Sequence, residues 1–241
     1  MIELPITNSH PLRSSSDRRL VVGGAIAILG IVFVGFARTY FLKFWYDTPA
    51  LPWLVHVHGA VMTSWFLLFF AQTCLIARHR TDLHRRLGAI GAALIVVMVV
   101  LGMVVVAHAA AREVHAHAKD APFFLMLLAM DPFMLLVFAA LAASAITVRN
   151  RRGDLHKRLM LLATLSLTLF AIGRLPFPSE TIAWLIYALC LAVPVIIDTV
   201  RNHRLHPALG WGAPAVFVSL YLVRQLATSP AWMHFAQRLV S

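Results

Sequence analysis

Apolar residues fall into seven long runs separated by short polar stretches. A helix needs about 20 residues to cross a hydrocarbon core roughly 30 Å thick, and each run is close to that length or longer. None shows the polar and apolar alternation of a membrane β-strand. The pattern predicts an all-α, polytopic membrane protein with seven transmembrane helices. They cover residues 20–37, 52–77, 85–110, 121–148, 157–175, 180–200 and 208–226.

The first run follows a 19-residue stretch that includes Arg13, Arg18 and Arg19. It is longer than a typical signal-peptide core, and no small-x-small cleavage motif follows it. We therefore expect it to remain as the first transmembrane helix. The predicted organisation is a cytoplasmic amino-terminal segment 1–19, a membrane domain 20–226 and a short outer tail 227–241.

Composition excludes a soluble enzyme, because 60% of the residues are hydrophobic and only 13% are charged, against about 25% charged in soluble domains. The net charge of +11 comes from residues between the apolar runs. This placement favours anionic lipid headgroups over nucleic acid as the partner. About two thirds of the 21 Lys and Arg residues lie in the amino-terminal segment and after helices 2, 4 and 6. The positive-inside rule then predicts a cytoplasmic amino terminus and an outer carboxyl terminus.

An internal repeat follows every second predicted helix. Residues 80–88 read RTDLHRRLG, residues 152–160 read RGDLHKRLM, and residues 205–210 read LHPALG as a fainter copy. In each copy a histidine opens the next helix, and Asp82 and Asp154 occupy positions suited to a helix N-cap. The repeat predicts helix 1 followed by three helical hairpins.

Two histidines of the repeat suggest a haem site. Imidazole binds haem iron axially, and a b-type haem between membrane helices needs two histidines at matched depth with small residues beside the porphyrin. The repeat places His84 and His156 at matched depth, and Gly88 and Gly91 share a helical face with His84. Haem b bound by His84 and His156 is one hypothesis. The alternative is that both histidines contact lipid headgroups and the glycines serve helix packing.

Three ionisable residues lie in or beside the outer halves of the apolar runs. Because such groups are costly in lipid, His58, Asp131 and Arg174 are expected to converge on one outward-facing polar pocket. The alternative is a structural ion pair that binds nothing. Pro132 is expected to kink the helix beside Asp131. His56 lies about 200° around the helix from His58 and should face elsewhere.

A histidine-rich connection precedes predicted helix 4. His108, His115 and His117 could hold copper or zinc if this segment is extended; the alternative is a mobile, solvated loop. Cys74 and Cys190 lie within apolar runs, so no disulfide is expected. No catalytic residue is predicted, and whether the protein is an enzyme stays open.

Several stretches between 52 and 177 resemble a family of uncharacterised bacterial multi-pass membrane proteins with about seven helices. They are HGAVMTSW at 58–65, DLHRRLG at 82–88, HKRLMLLA at 156–163, and Arg174 with Pro176. The HKRLM stretch is also similar, more distantly, to small haem-copper oxidase assembly proteins, and the helix-end histidines resemble membrane b-type cytochromes. The resemblance to the bacterial family implies an inner-membrane location, and the two more distant likenesses imply a redox or haem-handling role, including respiratory oxidase assembly. The alternatives are a proton-coupled or small-molecule transporter and a non-catalytic partner of other membrane-complex subunits.

Overall fold

A computed structural model describes residues 15–46 and 50–240. Within these ranges the chain is helical and contains no strand. Nine α-helices follow one another, with a π-helical turn at Ala37–Phe41 and a 3-10 turn at Lys43–Trp45 after the first. They are α1 (Ser15–Phe36), α2 (Trp53–Ala77), α3 (Thr81–His115), α4 (Ala121–Val148), α5 (Gly153–Ser166), α6 (Thr168–Ile172), α7 (Glu180–Asn202), α8 (Pro207–Ala227) and α9 (Pro230–Val240).

Six segments in the described ranges are long and apolar enough to cross a membrane: Arg18–Phe41, α2, α3, α4, Gly153–Ile172 and α7. This confirms the all-helical, multi-pass class. The sequence predicted seven crossings, one more than these six segments. The seventh predicted helix is present as α8, with 21 residues and Arg224 in its last turn. Helix α3 has 35 residues and is about 52 Å long at 1.5 Å per residue. It is therefore longer than the hydrocarbon core is thick.

Neighbouring helices pack as the repeat predicted. Helix α2 contacts α3, α4 contacts α5, and α7 contacts α8; α3 also packs along α4. Arg18 at the start of α1 contacts His79 in the α2–α3 loop through a 3.2 Å hydrogen bond. We call this end of the bundle, which carries the α2–α3, α4–α5 and α7–α8 loops, the basic end. The other end is the opposite end.

The centre of the bundle is occupied by α5 and α6, which pack against α1, α4, α7 and α8. Residues 162–169 are all buried. The sequence predicted one helix over 157–175, but the helix is broken at Leu167. Buried hydroxyls of Thr164, Ser166 and Thr168 donate to carbonyls three or four residues earlier at 2.7–3.0 Å. Such bonds bend helices, and hydropathy alone does not reveal them.

The chain after α8, predicted as a short outer tail, forms a further helix over Pro230–Val240. Helix α9 packs on α3, α4 and α8, and the Trp232 Nε1–H donates to the Leu125 carbonyl at 2.8 Å. Ala236 is fully buried in this contact. The predicted segment 227–241 is therefore part of the helical bundle over its described residues. Of the predicted segment 1–19, residues 1–14 lie outside the described residues.

Candidate functional site

The structure brings His84 and His156 together at the basic end. His84 lies in the first turn of α3 and His156 in the first turn of α5. Their ring centres are 6.3 Å apart, and the two ring planes are inclined by 81°. Both side chains are half-buried. The matched depth predicted from the repeat therefore corresponds to direct proximity, and we call these residues the histidine pair.

Hydrogen bonding fixes the tautomer of His156. Its Nδ1 lies 2.8 Å from the Ala145 carbonyl oxygen. Because a carbonyl oxygen only accepts, Nδ1 must carry the proton. In the neutral ring Nε2 then keeps its lone pair, which is the arrangement of histidines that bind metals.

The surroundings of the histidine pair suit a flat, negatively charged ligand. A Cβ added at Gly88, one turn beyond His84, would meet only the Gln72 Nε2 at 3.9 Å, so the backbone is accessible there. Arg85 and Lys157, which directly follow the two histidines, are exposed. Cations that follow the two imidazoles in sequence provide partners for carboxylate groups.

The third histidine of the repeat does not join this pair. His206 is the N-cap of α8: its Nδ1 accepts from the Ala208 N–H at 3.2 Å. Its Nε2 lies 3.3 Å from an Asp154 carboxylate oxygen. Burial, followed by the charge of the nearby Arg158, lowers the pKa of His206 below its ordinary value. The Nδ1 lone pair of His206 thus caps α8.

A buried ion pair beside His206 was not predicted. The Arg158 Nε and Nη2 donate to both carboxylate oxygens of Asp198 at 3.0 and 2.9 Å, and Nη1 donates to the Asp154 carbonyl at 2.9 Å. This bidentate pair joins α5 to α7. Arg158 and Asp198 both lie within predicted apolar runs. Ionisable groups are costly in lipid, so the criterion that singled out Asp131 also singles out these two residues as candidates.

The predicted pocket is a set of neighbouring groups that do not bond to one another. Trp65 on α2 meets Phe138 on α4 with ring centres 4.7 Å apart. His58 and Asp131 each lie seven residues from these rings toward the opposite end, so they share one depth. The charge of Arg174 acts on both residues. Among the described residues, no hydrogen bond or ion pair joins any two of the three. We call them the polar cluster.

Each member of the polar cluster has a distinct local environment. His58 Nδ1 and Asp131 Oδ1 are buried atoms without a hydrogen-bond partner. The Arg174 Nη1 donates to the Phe170 carbonyl at 2.7 Å, and its guanidinium carbon lies 4.5 Å from the centre of the Phe36 ring. The alternative of a direct structural ion pair is therefore not what the structure contains. His56 faces Tyr40, with ring centres 5.8 Å apart, and not the cluster, as predicted.

The predicted outer metal ligands are not assembled into a site. Helix α3 continues through His115, so the segment from His108 to His115 is helical and not extended as that hypothesis required. His117 follows in the left-handed conformation with φ of 49°. In residues 15–46 and 50–240, no three His, Cys, Asp or Glu side chains come close enough to hold a metal ion.

Comparison with known proteins adds no assignment to these clusters. The chain matches no protein-family model, no curated protein and no solved structure.

Proposed function

We propose that this chain is a multi-pass membrane protein that binds haem b through His84 and His156 and has a redox or haem-handling role. The 6.3 Å separation of the two rings carries the proposal. Imidazole nitrogens bind a metal ion at about 2.0–2.1 Å, so two rings on opposite sides of one ion have centres roughly 6 Å apart. The Nδ1–H of His156 is held by the Ala145 carbonyl, which leaves the Nε2 lone pair that a metal-ligating histidine needs.

The location proposed is a bacterial inner membrane, with α8 as the seventh crossing. The basic end then faces the cytoplasm and its anionic lipids, and the opposite end faces outward. Of the 20 Lys and Arg residues in the described ranges, 13 lie at the basic end, which supports this orientation. Exposed aromatic residues at the opposite end, including Trp45 and Trp53, fit the aromatic belt of a membrane interface.

The residues around the histidine pair fit haem b in three respects. The Ala145 carbonyl orients the His156 ring, and Gly88 leaves the α3 backbone accessible. Arg85 and Lys157 are exposed beside the histidines, where they can pair with the two propionates. When bound, haem supplies one-electron chemistry, and the chain contributes ligation, orientation and charge compensation.

The test is a visible absorption spectrum of protein purified after expression with ample haem. We expect a Soret band in the wild type and its loss in His84→Ala and His156→Ala. His108→Ala, an exposed histidine further along the same helix, is the matched control and should keep the band. The absence of a Soret band in the wild type, or an unchanged band in both ligand variants, contradicts the proposal.

A second candidate function is a proton-coupled or small-molecule carrier centred on the polar cluster. Unpartnered buried atoms on His58 and Asp131 and the broken central helix at Leu167 favour it, because discontinuous helices recur at transporter sites. Asp131→Asn should then abolish substrate flux in proteoliposomes while thermal stability is preserved. Unchanged flux counts against a carrier and leaves the haem proposal intact.

A further inference from the structure

The histidine pair is asymmetric in its hydrogen bonding. His156 is oriented by the Ala145 carbonyl, but the Nδ1 of His84 is buried without a partner. A buried nitrogen left unpaired destabilises the folded chain. A partner for this nitrogen is therefore expected close by.

Gln72 of α2 has a complementary unpaired atom. Its Nε2 donates to the His84 carbonyl oxygen at 3.2 Å, which fixes the orientation of the amide, since its oxygen would be repelled there. Its Oε1 is left buried and without a partner. An amide oxygen only accepts, whereas Nδ1 of a neutral imidazole donates when it carries the proton.

The Gln72 Oε1 can accept a hydrogen bond that the His84 Nδ1 can donate, and the two residues already share one hydrogen bond. Six buried side-chain atoms in the described part of the chain lack a partner: His58 Nδ1, Trp65 Nε1, Gln72 Oε1, His84 Nδ1, Asp131 Oδ1 and Tyr187 Oη. Of these six, only the atoms on Gln72 and His84 belong to residues that are hydrogen-bonded to each other.

We infer that Gln72 is a positioning residue for His84: its Oε1 accepts the Nδ1–H of His84, so Nε2 of both histidines keeps a lone pair. The bond needs a turn of the His84 side chain toward Oε1, while the Gln72 amide keeps its bond to the His84 carbonyl. His84 then matches His156, with one ring nitrogen held by an oxygen and the other available to a ligand. The tautomer of His84 is independent of haem, whereas the effect on haem retention rests on the proposed function.

The direct test is nitrogen NMR of the purified chain with labelled histidine, in which His84→Ala identifies the His84 signals. We expect the Nδ1-protonated tautomer in the wild type and in Gln72→Glu, which keeps an acceptor. Gln72→Leu should give a mixture of tautomers. Thr73→Val is the control, because the Thr73 hydroxyl bonds to the Phe69 carbonyl of its own helix. An Nε2-protonated His84 in the wild type, or an unchanged tautomer in Gln72→Leu, overturns the inference.

A second measurement separates positioning from a purely structural tie between α2 and α3. Loss of a hydrogen-bonding partner of a metal-ligating histidine typically weakens binding 10- to 100-fold. Gln72→Leu should lower haem affinity by about that factor, and Gln72→Glu should restore binding with a lower midpoint potential. Equal affinity in Gln72→Leu and the wild type, with only reduced thermal stability, identifies a structural tie and overturns the positioning role. If the wild type has no Soret band, the haem proposal is contradicted. The NMR measurement of the His84 tautomer then decides alone whether Gln72 positions His84.

Discussion

The Arg158–Asp198 pair gives the sharpest stability prediction. The Arg158 and Asp198 side chains are only 7% and 17% exposed, so Asp198→Ala leaves a mostly buried guanidinium without its carboxylate. Removing one partner of a buried ion pair costs about 3–5 kcal/mol. Arg158 keeps its bond to the Asp154 carbonyl and lies 3.6 Å from the Asp154 carboxylate. We therefore expect the lower end, about 3 kcal/mol.

The assay is thermal unfolding in detergent, followed by intrinsic fluorescence. For a chain of this size 1 kcal/mol corresponds to roughly 2–4 °C, so Asp198→Ala should lower Tm by about 6–12 °C. Asp82→Ala is the matched control from the first copy of the repeat. Its pair with Arg80 is 3.6 Å long, with side chains 57% and 61% exposed, and is worth about 1 kcal/mol or less.

The double variant Arg158→Met with Asp198→Leu tests the cause. Replacing both partners of a buried pair by apolar residues is often neutral or stabilising, so this variant should regain most of the lost Tm. The reasoning is refuted if Asp198→Ala and Asp82→Ala shift Tm equally. It is also refuted if the double variant is less stable than Asp198→Ala alone.

Two further predictions concern the α8 cap and the α1–α6 contact. Because burial lowers the pKa of His206, the unfolded chain binds more protons at this residue, so the contribution of His206 to stability is fully present above about pH 6.5 and falls as the pH decreases below it. Asn is a good N-cap that does not titrate, so His206→Asn should flatten the curve of Tm against pH between pH 5 and 7. An unchanged curve contradicts the assignment of His206 as the cap. A Cβ at Gly35 would collide with the Ala171 backbone, whereas a Cβ at Gly24 meets nothing within 4 Å. Gly35→Ala should therefore lower the free energy of unfolding by about 1–3 kcal/mol, and Gly24→Ala should not destabilise the protein. Equal Tm values for the two variants argue against close packing of α1 on α6.

Hydropathy predicted where the helices lie better than where they end. Predicted helix 4 has the bounds of α4, and predicted helices 2, 6 and 7 agree with α2, α7 and α8 within two residues. Helix α3 extends to His115 and not to residue 110 because Arg112 and Glu113, which end the apolar run, favour helix without being apolar. The break at Leu167 depends on hydroxyl groups that hydropathy scarcely registers.

The repeat was the most informative signal for the candidate site. It predicted that His84 and His156 share a depth, and the structure places their ring centres 6.3 Å apart. The same repeat also pairs Arg86 with Arg158, yet Arg86 is exposed and Arg158 is buried. The difference arises because Asp198, 40 residues further along the chain, reaches Arg158 from α7. Such a partner depends on tertiary packing, which local pattern does not specify.

The polar cluster shows that the depth of a residue in the membrane and the cost of burying its charge do not predict which partner it bonds to. Burial of Asp131 predicted a donor nearby, and the charge of Arg174 does act on it. The Arg174 guanidinium, however, bonds to the Phe170 carbonyl and lies over Phe36. A cation has several acceptors within reach of its long side chain, and sequence does not rank them. The resemblance to membrane b-type cytochromes stays a prediction.

Electron paramagnetic resonance of the oxidised, haem-loaded protein tests the central claim most directly. Two imidazole ligands on one haem iron would give a low-spin ferric signal. That signal in the wild type and its absence in His84→Ala and His156→Ala is the expected result. A high-spin signal in the wild type, or no haem signal at all, contradicts ligation by the histidine pair.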